Sequence, residues 1–145
     1  MVNAQQVEDL KLHFESVGWG YNQLKPDTFR IGFEGENANY LVLIRVTDYW
    51  IVFSINPYLK KDGRVWGANL YRILLELNDK IPLAKFSIDD EGDVALTIDM
   101  PSAGFSAEKL RKAVTTLGAC ADQLLIAVLQ SSAIEHVNHQ YRRDH

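Results

Sequence analysis

The stretch from Leu70 to Pro101 constrains the fold most, because two periodicities meet in it. Its first part repeats apolar residues at helical spacing, at Leu70, Ile73, Leu74 and Leu77. Pro82 ends this helix, because proline has no amide proton and its ring clashes with the preceding turn. Apolar and polar residues then alternate in two short runs around an acidic turn, DDEGD. The stretch therefore predicts a helix followed by a β-hairpin.

The same two periodicities predict the other elements. An amphipathic helix is expected over residues 3–18, and strands over 28–34, 40–46 and 49–55. The second helix is expected over 65–79, and the last from Ser106 to about residue 134. The order is α-β-β-β-α-β-β-α. Because hairpins join most strands, we expect a five-stranded antiparallel sheet with packed helices, in the α+β class.

The last helix is too long for a small domain. About 28 residues at 1.5 Å each give ~42 Å. We therefore expect the helix either to break near Gly118 or to pack its far end on something else, such as a second subunit. Residues 1–135 are predicted to form a single domain, and residues 136–145 a polar C-terminal tail.

Charge and composition disfavour several classes of function. The net charge is −4, and the only dense basic spot is Arg142-Arg143, whereas nucleic-acid binding usually needs a basic face. No basic region followed by an apolar run is visible near the start, and the run from Leu124 to Leu129 is too short to cross a bilayer. We expect a cytoplasmic protein that binds neither nucleic acid nor membrane.

No group of residues predicts catalysis, a cofactor or a metal. The carboxylates of DDEGD are crowded into five residues, whereas a calcium loop spreads its ligands over twelve. His136 and His139 share a helical face but have no third ligand at a suitable spacing. Cys120 is the only cysteine, and its small neighbours favour a structural thiol over a nucleophile.

Aromatic residues give the best candidates for a binding surface. Most aromatic residues of a small domain are buried, and the remainder can form an interface. The candidate protein contacts are Trp50, Trp66, Tyr71 and Leu75. Two alternatives stay open. A small-molecule sensor or enzyme would use a pocket between sheet and helices, lined first by Tyr40, Arg45 and Trp50. A structural subunit of a larger assembly is the other.

The central stretch resembles the YbjN domain family, whose fold is similar to that of type III secretion chaperones. The resemblance lies in residues 74–78, 82–86, 89–96 and 99–101, and then in Leu110 and residues 117–122. It implies a chaperone-like α+β domain, often dimeric, with no catalytic residue or cofactor. Some relatives are described as sensory-transduction regulators.

These expectations combine into one functional hypothesis. The protein acts without catalysis as a homodimer, and it binds an extended segment of an unidentified client protein along a sheet edge or an apolar groove.

Overall fold

The computed structural model describes residues 4–144, with side chains described for residues 4–132. Within that range there are three helices and six strands. The helices are α1 (Ala4–Val17), α2 (Ala68–Lys80) and α3 (Ala107–Asp144). The strands are β1 (Asn22–Lys25), β2 (Thr28–Glu34), β3 (Asn39–Val46), β4 (Trp50–Leu59), β5 (Lys85–Ile88) and β6 (Val94–Pro101). The predicted α+β class is confirmed.

The strands form one antiparallel sheet in the order β1-β2-β3-β4-β6-β5. Alternate residues point to opposite faces, so β3 buries every second side chain from Tyr40 to Val46. The helices cover this side of the sheet, which we call the helix face. The other side, the open face, has no helix packed on it. The core therefore lies in a single layer between the helices and one face of the sheet.

The prediction of five strands was one short, because β1 was assigned to a loop. It pairs with β2, with Asn22 opposite Arg30 and Lys25 opposite Thr28. All four of its residues are exposed. An edge strand with no buried side chain shows no alternation of apolar and polar residues, and alternation was the signal used for the other strands.

Strand β4 also extends further than its sequence suggests. The strand predicted over residues 49–55 stops before Asn56-Pro57, where a proline interrupts regular pairing. β4 instead continues to Leu59 and pairs there with Val94 of β6. The register shifts between Ile55 and Leu59. A bulge of this kind accommodates a proline that a regular ladder would exclude.

Helix α3 crosses the middle of the helix face without a break. Gly118 lies under Phe33 of β2, and a Cβ atom at this position would be 2.4 Å from the phenyl ring. Gly118 therefore lets a strand side chain lie close against the helix backbone, and the predicted break does not occur there. Ser106 caps the helix as expected, because its hydroxyl accepts a hydrogen bond from the Lys109 amide at 3.2 Å.

One segment of α3, Ala107–Ser132, is long and apolar enough to span a membrane by length and composition. The best 18-residue window is 39% buried inside the domain. The core helix of a soluble protein meets the same criterion, so the segment is weak evidence for a membrane span.

Candidate functional site

Three of the four candidate contact residues lie on the surface. The exposed fractions are 48% for Trp50, 42% for Tyr71 and 69% for Leu75. Trp50 begins β4 on the open face, whereas Tyr71 and Leu75 lie on α2. The candidates therefore fall on two separate surfaces, which the sequence alone did not distinguish.

Trp66 belongs to the core instead. Its side chain is 6% exposed, and it lies in the loop before α2, which begins at Ala68 rather than near residue 65. The indole Nε1 donates a hydrogen bond to the Gly92 carbonyl at 2.7 Å, and the Arg64 guanidinium lies 4.9 Å from the ring centre. Trp66 thus fastens this loop to the β5–β6 turn, and a partner cannot contact much of it directly.

The first surface is an apolar patch on the open face. It consists of Leu41, Leu43, Trp50 and Val52, and we call it the sheet patch. Leu41 is 59% exposed, and Leu43 and Val52 are partly exposed. Solvated faces of antiparallel sheets normally carry polar residues. Packing in the core therefore does not explain why these four positions are apolar. Leu41 is not among the candidate contact residues, although residues 40–46 carry apolar side chains at positions of both faces.

The second surface is on α2 and consists of Tyr71 and Leu75, the α2 patch. Leu70 and Leu74 point into the core from the same helix, so the two exposed residues are surplus to its packing. Ile88 of the neighbouring strand β5 is also exposed. Arg72 and Glu76 form an ion pair at 3.0 Å beside the patch.

The two edges of the sheet differ in what they offer a partner strand. At β5, the side-chain amide of Asn78 bonds both backbone groups of Phe86. Its Oδ1 accepts from the Phe86 N–H at 2.7 Å, and its Nδ2 donates to the Phe86 carbonyl at 3.0 Å. Asn78 therefore occupies the groups that an added strand would pair with. No such side-chain clamp is present on β1 within residues 4–132.

The best-satisfied polar group is Asp122 of α3, which binds the β2–β3 turn. Its carboxylate accepts hydrogen bonds from the amides of Glu36, Asn37 and Ala38 at 2.8, 2.9 and 3.3 Å, and from the Tyr40 hydroxyl at 3.1 Å. A Cβ atom on Gly35 would lie 2.4 Å from this carboxylate, so the turn requires glycine there.

The ionisation of this pair follows from its surroundings. Burial acts to raise the pKa of Asp122, but the hydrogen bonds from the turn amides and Tyr40 outweigh it and hold that pKa below its usual value. Burial, together with the Asp122 carboxylate, raises the pKa of Tyr40 to about 12. The carboxylate is therefore charged and the phenol neutral near pH 7, as a structural anchor requires.

The residues suggested for a pocket do not meet. Tyr40 points into the helix face, whereas Arg45 and Trp50 lie on the open face, because they occupy positions of opposite parity on paired strands. That alternative lining was wrong.

Two concavities of the described part of the chain lie elsewhere. A depression of about 470 Å³ lies on the outside of α2, lined by Arg72, Leu75, Glu76, Asp79 and Lys80. A second space of about 40 Å³ lies between α1 and the β6–α3 connection. The first is on the surface and the second is too small for a cofactor.

The remaining reactive groups have structural surroundings. Burial raises the pKa of the Cys120 thiol, although Lys85 acts in the opposite sense, so the reactive thiolate is disfavoured. In the acidic turn, Asp89 accepts hydrogen bonds from the amides of Glu91 and Asp93, both at 2.9 Å. Residues with described side chains include no metal-binding group of three or more ligands. The side chains of His136 and His139 lie outside the described range.

Comparison with solved structures identifies the fold. A chain of the ExsC–ExsE complex matches with a TM-score of 0.62 at 16% identity, covering 86% of this chain and 94% of that one. A chain of the ExoU–SpcU complex from the type III secretion system of Pseudomonas aeruginosa gives 0.58 at 15%, with coverages of 78% and 92%. The Yersinia pestis type III secretion chaperone SycH with a fragment of YscM2 gives 0.53 at 16%, with 82% and 98%.

Sequence comparison gives the family. A search of curated proteins finds no significant match. Residues 6–130 match the model of the YbjN family, described as "Putative bacterial sensory transduction regulator". The match includes every strand, α2 and most of α1 and α3, and the fold agrees with that of the secretion chaperones. The chain therefore belongs to the YbjN family.

Proposed function

We propose that the protein is a non-enzymatic, chaperone-like binding protein of the cytoplasm, which acts as a homodimer and holds a segment of a client protein. The observation that carries this proposal is the pair of exposed apolar patches, on α2 and on the open face, beside a core that is already filled. Large exposed apolar groups that the fold does not use commonly mark protein-binding surfaces. The likeness to chains of three protein complexes supports the same conclusion.

The two patches suit different parts of this function. The α2 patch is an exposed apolar helix surface, and two copies can pack such a surface against each other about a twofold axis. The sheet patch remains free in that arrangement, because it lies on the other side of the sheet. We therefore assign the α2 patch to the second copy and the sheet patch, with Trp50, to the client.

The other binding mode expected for a client is addition of its extended segment to an edge of the sheet. Only one of the two edges is open to it. Asn78 closes β5 at Phe86, so an extended segment would have to pair with β1. Trp66 takes no direct part in this proposal. Neither concavity supports the alternative of a small-molecule sensor or enzyme.

Sedimentation equilibrium at micromolar concentration tests the dimer. We expect a mass of about 33 kDa, twice the 16.5 kDa of one chain. Tyr71→Glu and Leu75→Glu place a charge in the α2 patch, and both variants should sediment as monomers. Leu12→Glu adds the same charge at an exposed position of α1 and should leave the dimer intact. A 16.5 kDa species for the unaltered protein would refute the dimer.

A further inference from the structure

Two arginines on the open face lie beside the sheet patch without an acidic partner. Arg30 of β2 pairs across the sheet with Leu43, and Arg45 of β3 pairs with Val52. Directly opposed residues on one face have Cβ atoms roughly 4.5–5.5 Å apart. Each guanidinium group is therefore next to an apolar side chain of the patch. Within residues 4–132, neither arginine forms an ion pair or a side-chain hydrogen bond.

The charge of this face differs in sign from that of the chain. By register, the charged strand residues at open-face positions are Lys25, Arg30, Arg45, Lys85, Glu34 and Asp99. The Lys85 ammonium is bonded to the carbonyls of Asn78 and Ile81 at the end of α2 and is left out of the count. The remaining three cations and two carboxylates give +1, whereas the whole chain carries −4. Asp99 lies opposite Val52, one strand beyond Arg45, and does not pair with it. The positive charge is therefore available to a ligand of opposite sign.

The apolar residues form a diagonal band between these charges. Leu41 and Leu43 are two residues apart on β3, and Trp50 and Val52 are two apart on β4, so all four point outward. Leu43 and Val52 are diagonal neighbours, because Leu43 pairs with Ser54. Such neighbours lie roughly 7–8 Å apart, which one large side chain of a ligand can bridge. The open face thus presents a band of apolar side chains with arginines beside it.

We propose that the open face binds an acidic amphipathic segment of a protein. Apolar side chains of the segment would pack on the sheet patch, and its carboxylates would pair with Arg30 and Arg45. This inference rests on the proposed client-binding function and specifies the chemistry of the client. A nucleic acid would meet only three available cations on this face, together with two carboxylates, and leucines where phosphates need hydrogen-bond donors. The interleaved apolar groups favour a polypeptide.

Three synthetic peptides of identical apolar pattern test the proposal, with glutamate, glutamine or lysine at every polar position. Binding to the full chain is measured by fluorescence anisotropy of a label on the peptide, and by the tryptophan emission, to which Trp50 contributes together with Trp19 and Trp66. We expect the acidic peptide to bind about fivefold more tightly than the neutral one, since two exposed ion pairs contribute roughly 0.5 kcal/mol each. The lysine peptide should bind most weakly, and added salt should reduce these differences.

Matched variants locate the binding. Arg45→Glu should remove the preference for the acidic peptide, and Arg30→Glu should act in the same direction. Arg111→Glu makes the same charge change at an exposed position of α3 and should leave the preference intact. Leu41→Ser should weaken the binding of the acidic and the neutral peptide by the same factor. Trp50→Phe removes the Trp50 contribution to the emission and keeps an apolar ring, so the emission change on binding should be lost while anisotropy still reports binding.

Several results would overturn the inference. One is equal affinity for the acidic and lysine peptides. Another is that Arg45→Glu changes the preference for the acidic peptide no more than the control Arg111→Glu does. Absence of binding by all three peptides at 100 μM, roughly the limit for a weak specific contact, would also refute it. Tighter binding of a single-stranded oligonucleotide that Arg45→Glu abolishes would assign the face to nucleic acid. The mass of the dimer is measured separately, so failure here is distinguishable from failure of the proposed dimer.

Discussion

Asp122 shows how one residue joins two distant parts of the chain. It lies on α3, yet its carboxylate receives three backbone amides from the β2–β3 turn, more than 80 residues earlier. The Asn37 side chain also donates to the Asp122 carbonyl at 3.0 Å. Because consecutive amides converge on one charged group, the turn and the helix are held in one relative position.

Replacing Asp122 by asparagine should lower the free energy of unfolding near pH 7. Asparagine has one acceptor oxygen and no charge, so it cannot satisfy the converging donors. The folded pKa of Asp122 lies below its ordinary value of 3.8, so its ionisation stabilises the fold above that pH. The contribution is lost as the pH falls through the folded pKa. Urea unfolding between pH 7 and pH 2.5 should therefore show a difference between the two proteins that shrinks below about pH 4.

Asp79→Asn provides the control, because it removes the same charge from an exposed position of α2. We expect it to change the unfolding midpoint much less than Asp122→Asn does. A difference between the Asp122 variant and the unaltered protein that stayed constant down to pH 2.5 would contradict the role assigned to ionisation.

Single-residue environments were the least predictable from sequence. An aspartate within an apolar helix gave no sign of the turn that it binds, because the donors come from another part of the chain. Trp66 is expected from sequence in the second helix and as a contact residue, yet it is buried and lies in the loop that precedes α2. Trp50, Tyr71 and Leu75 are exposed, and their role as contacts stays a prediction.

At the scale of elements, the clamp of Asn78 on Phe86 separates the two edges of the sheet. One side chain satisfies a donor and an acceptor on β5, as a neighbouring strand would. Lys85 adds to the same junction, because its ammonium group donates to the carbonyls of Asn78 and Ile81 at 2.9 and 2.6 Å. The end of α2 and the start of β5 are therefore tied together.

Asn78→Ala should destabilise the protein by about 1–3 kcal/mol, since each of the two hydrogen bonds contributes roughly 0.5–1.5 kcal/mol. It should also speed hydrogen exchange of the Phe86 amide, which then faces solvent. Urea unfolding and amide exchange by NMR measure the two effects. Asn39→Ala, at an exposed position of β3, is the matched control. Unchanged protection of the Phe86 amide would show that Asn78 does not close this edge.

Elements with a buried side were predictable, and those without one were not. The alternation in β2 and the helical spacing in α2 come from residues that the core selects, so both elements were found. β1 buries nothing, and β4 passes a proline through a shift in register. These features depend on pairing with another strand, which a local pattern does not report.

At the scale of the whole molecule, the last buried residues of α3 come well before the end of the helix. Val128 is fully buried, and Ser131 accepts a hydrogen bond from the Asn69 side chain at 3.1 Å. Among residues with described side chains, these are the last that α3 buries. The helix itself continues to Asp144, so the boundary placed at residue 135 from sequence stays a prediction.

A chain ending at residue 135 should unfold in one transition, with a free energy within about 0.5 kcal/mol of that of the full chain. If the α2 patch forms the dimer, the shortened chain should still sediment at about twice the monomer mass. A chain ending at residue 127 is the control, because it loses Val128 and should be destabilised by at least about 1.5 kcal/mol. A monomer after removal of residues 136–145 would instead assign the dimer to the far end of α3.

The global architecture was accessible from sequence because it follows from the order of elements. Hairpins force neighbouring strands to be antiparallel, and helices must cover one face of the resulting sheet. The separation of the apolar residues into two surfaces was not accessible. It depends on which side of the sheet each residue faces, and so on the register of strands far apart in the chain.

The asymmetry of the two edges limits how these molecules can join through their backbones. A sheet with two unprotected ends can be extended from both, and copies of it can grow into an open-ended fibre. Here the amide of Asn78 blocks growth at one end. Pairing through β1 would use up the only remaining end in each of two copies, so polymerisation would terminate at the first step.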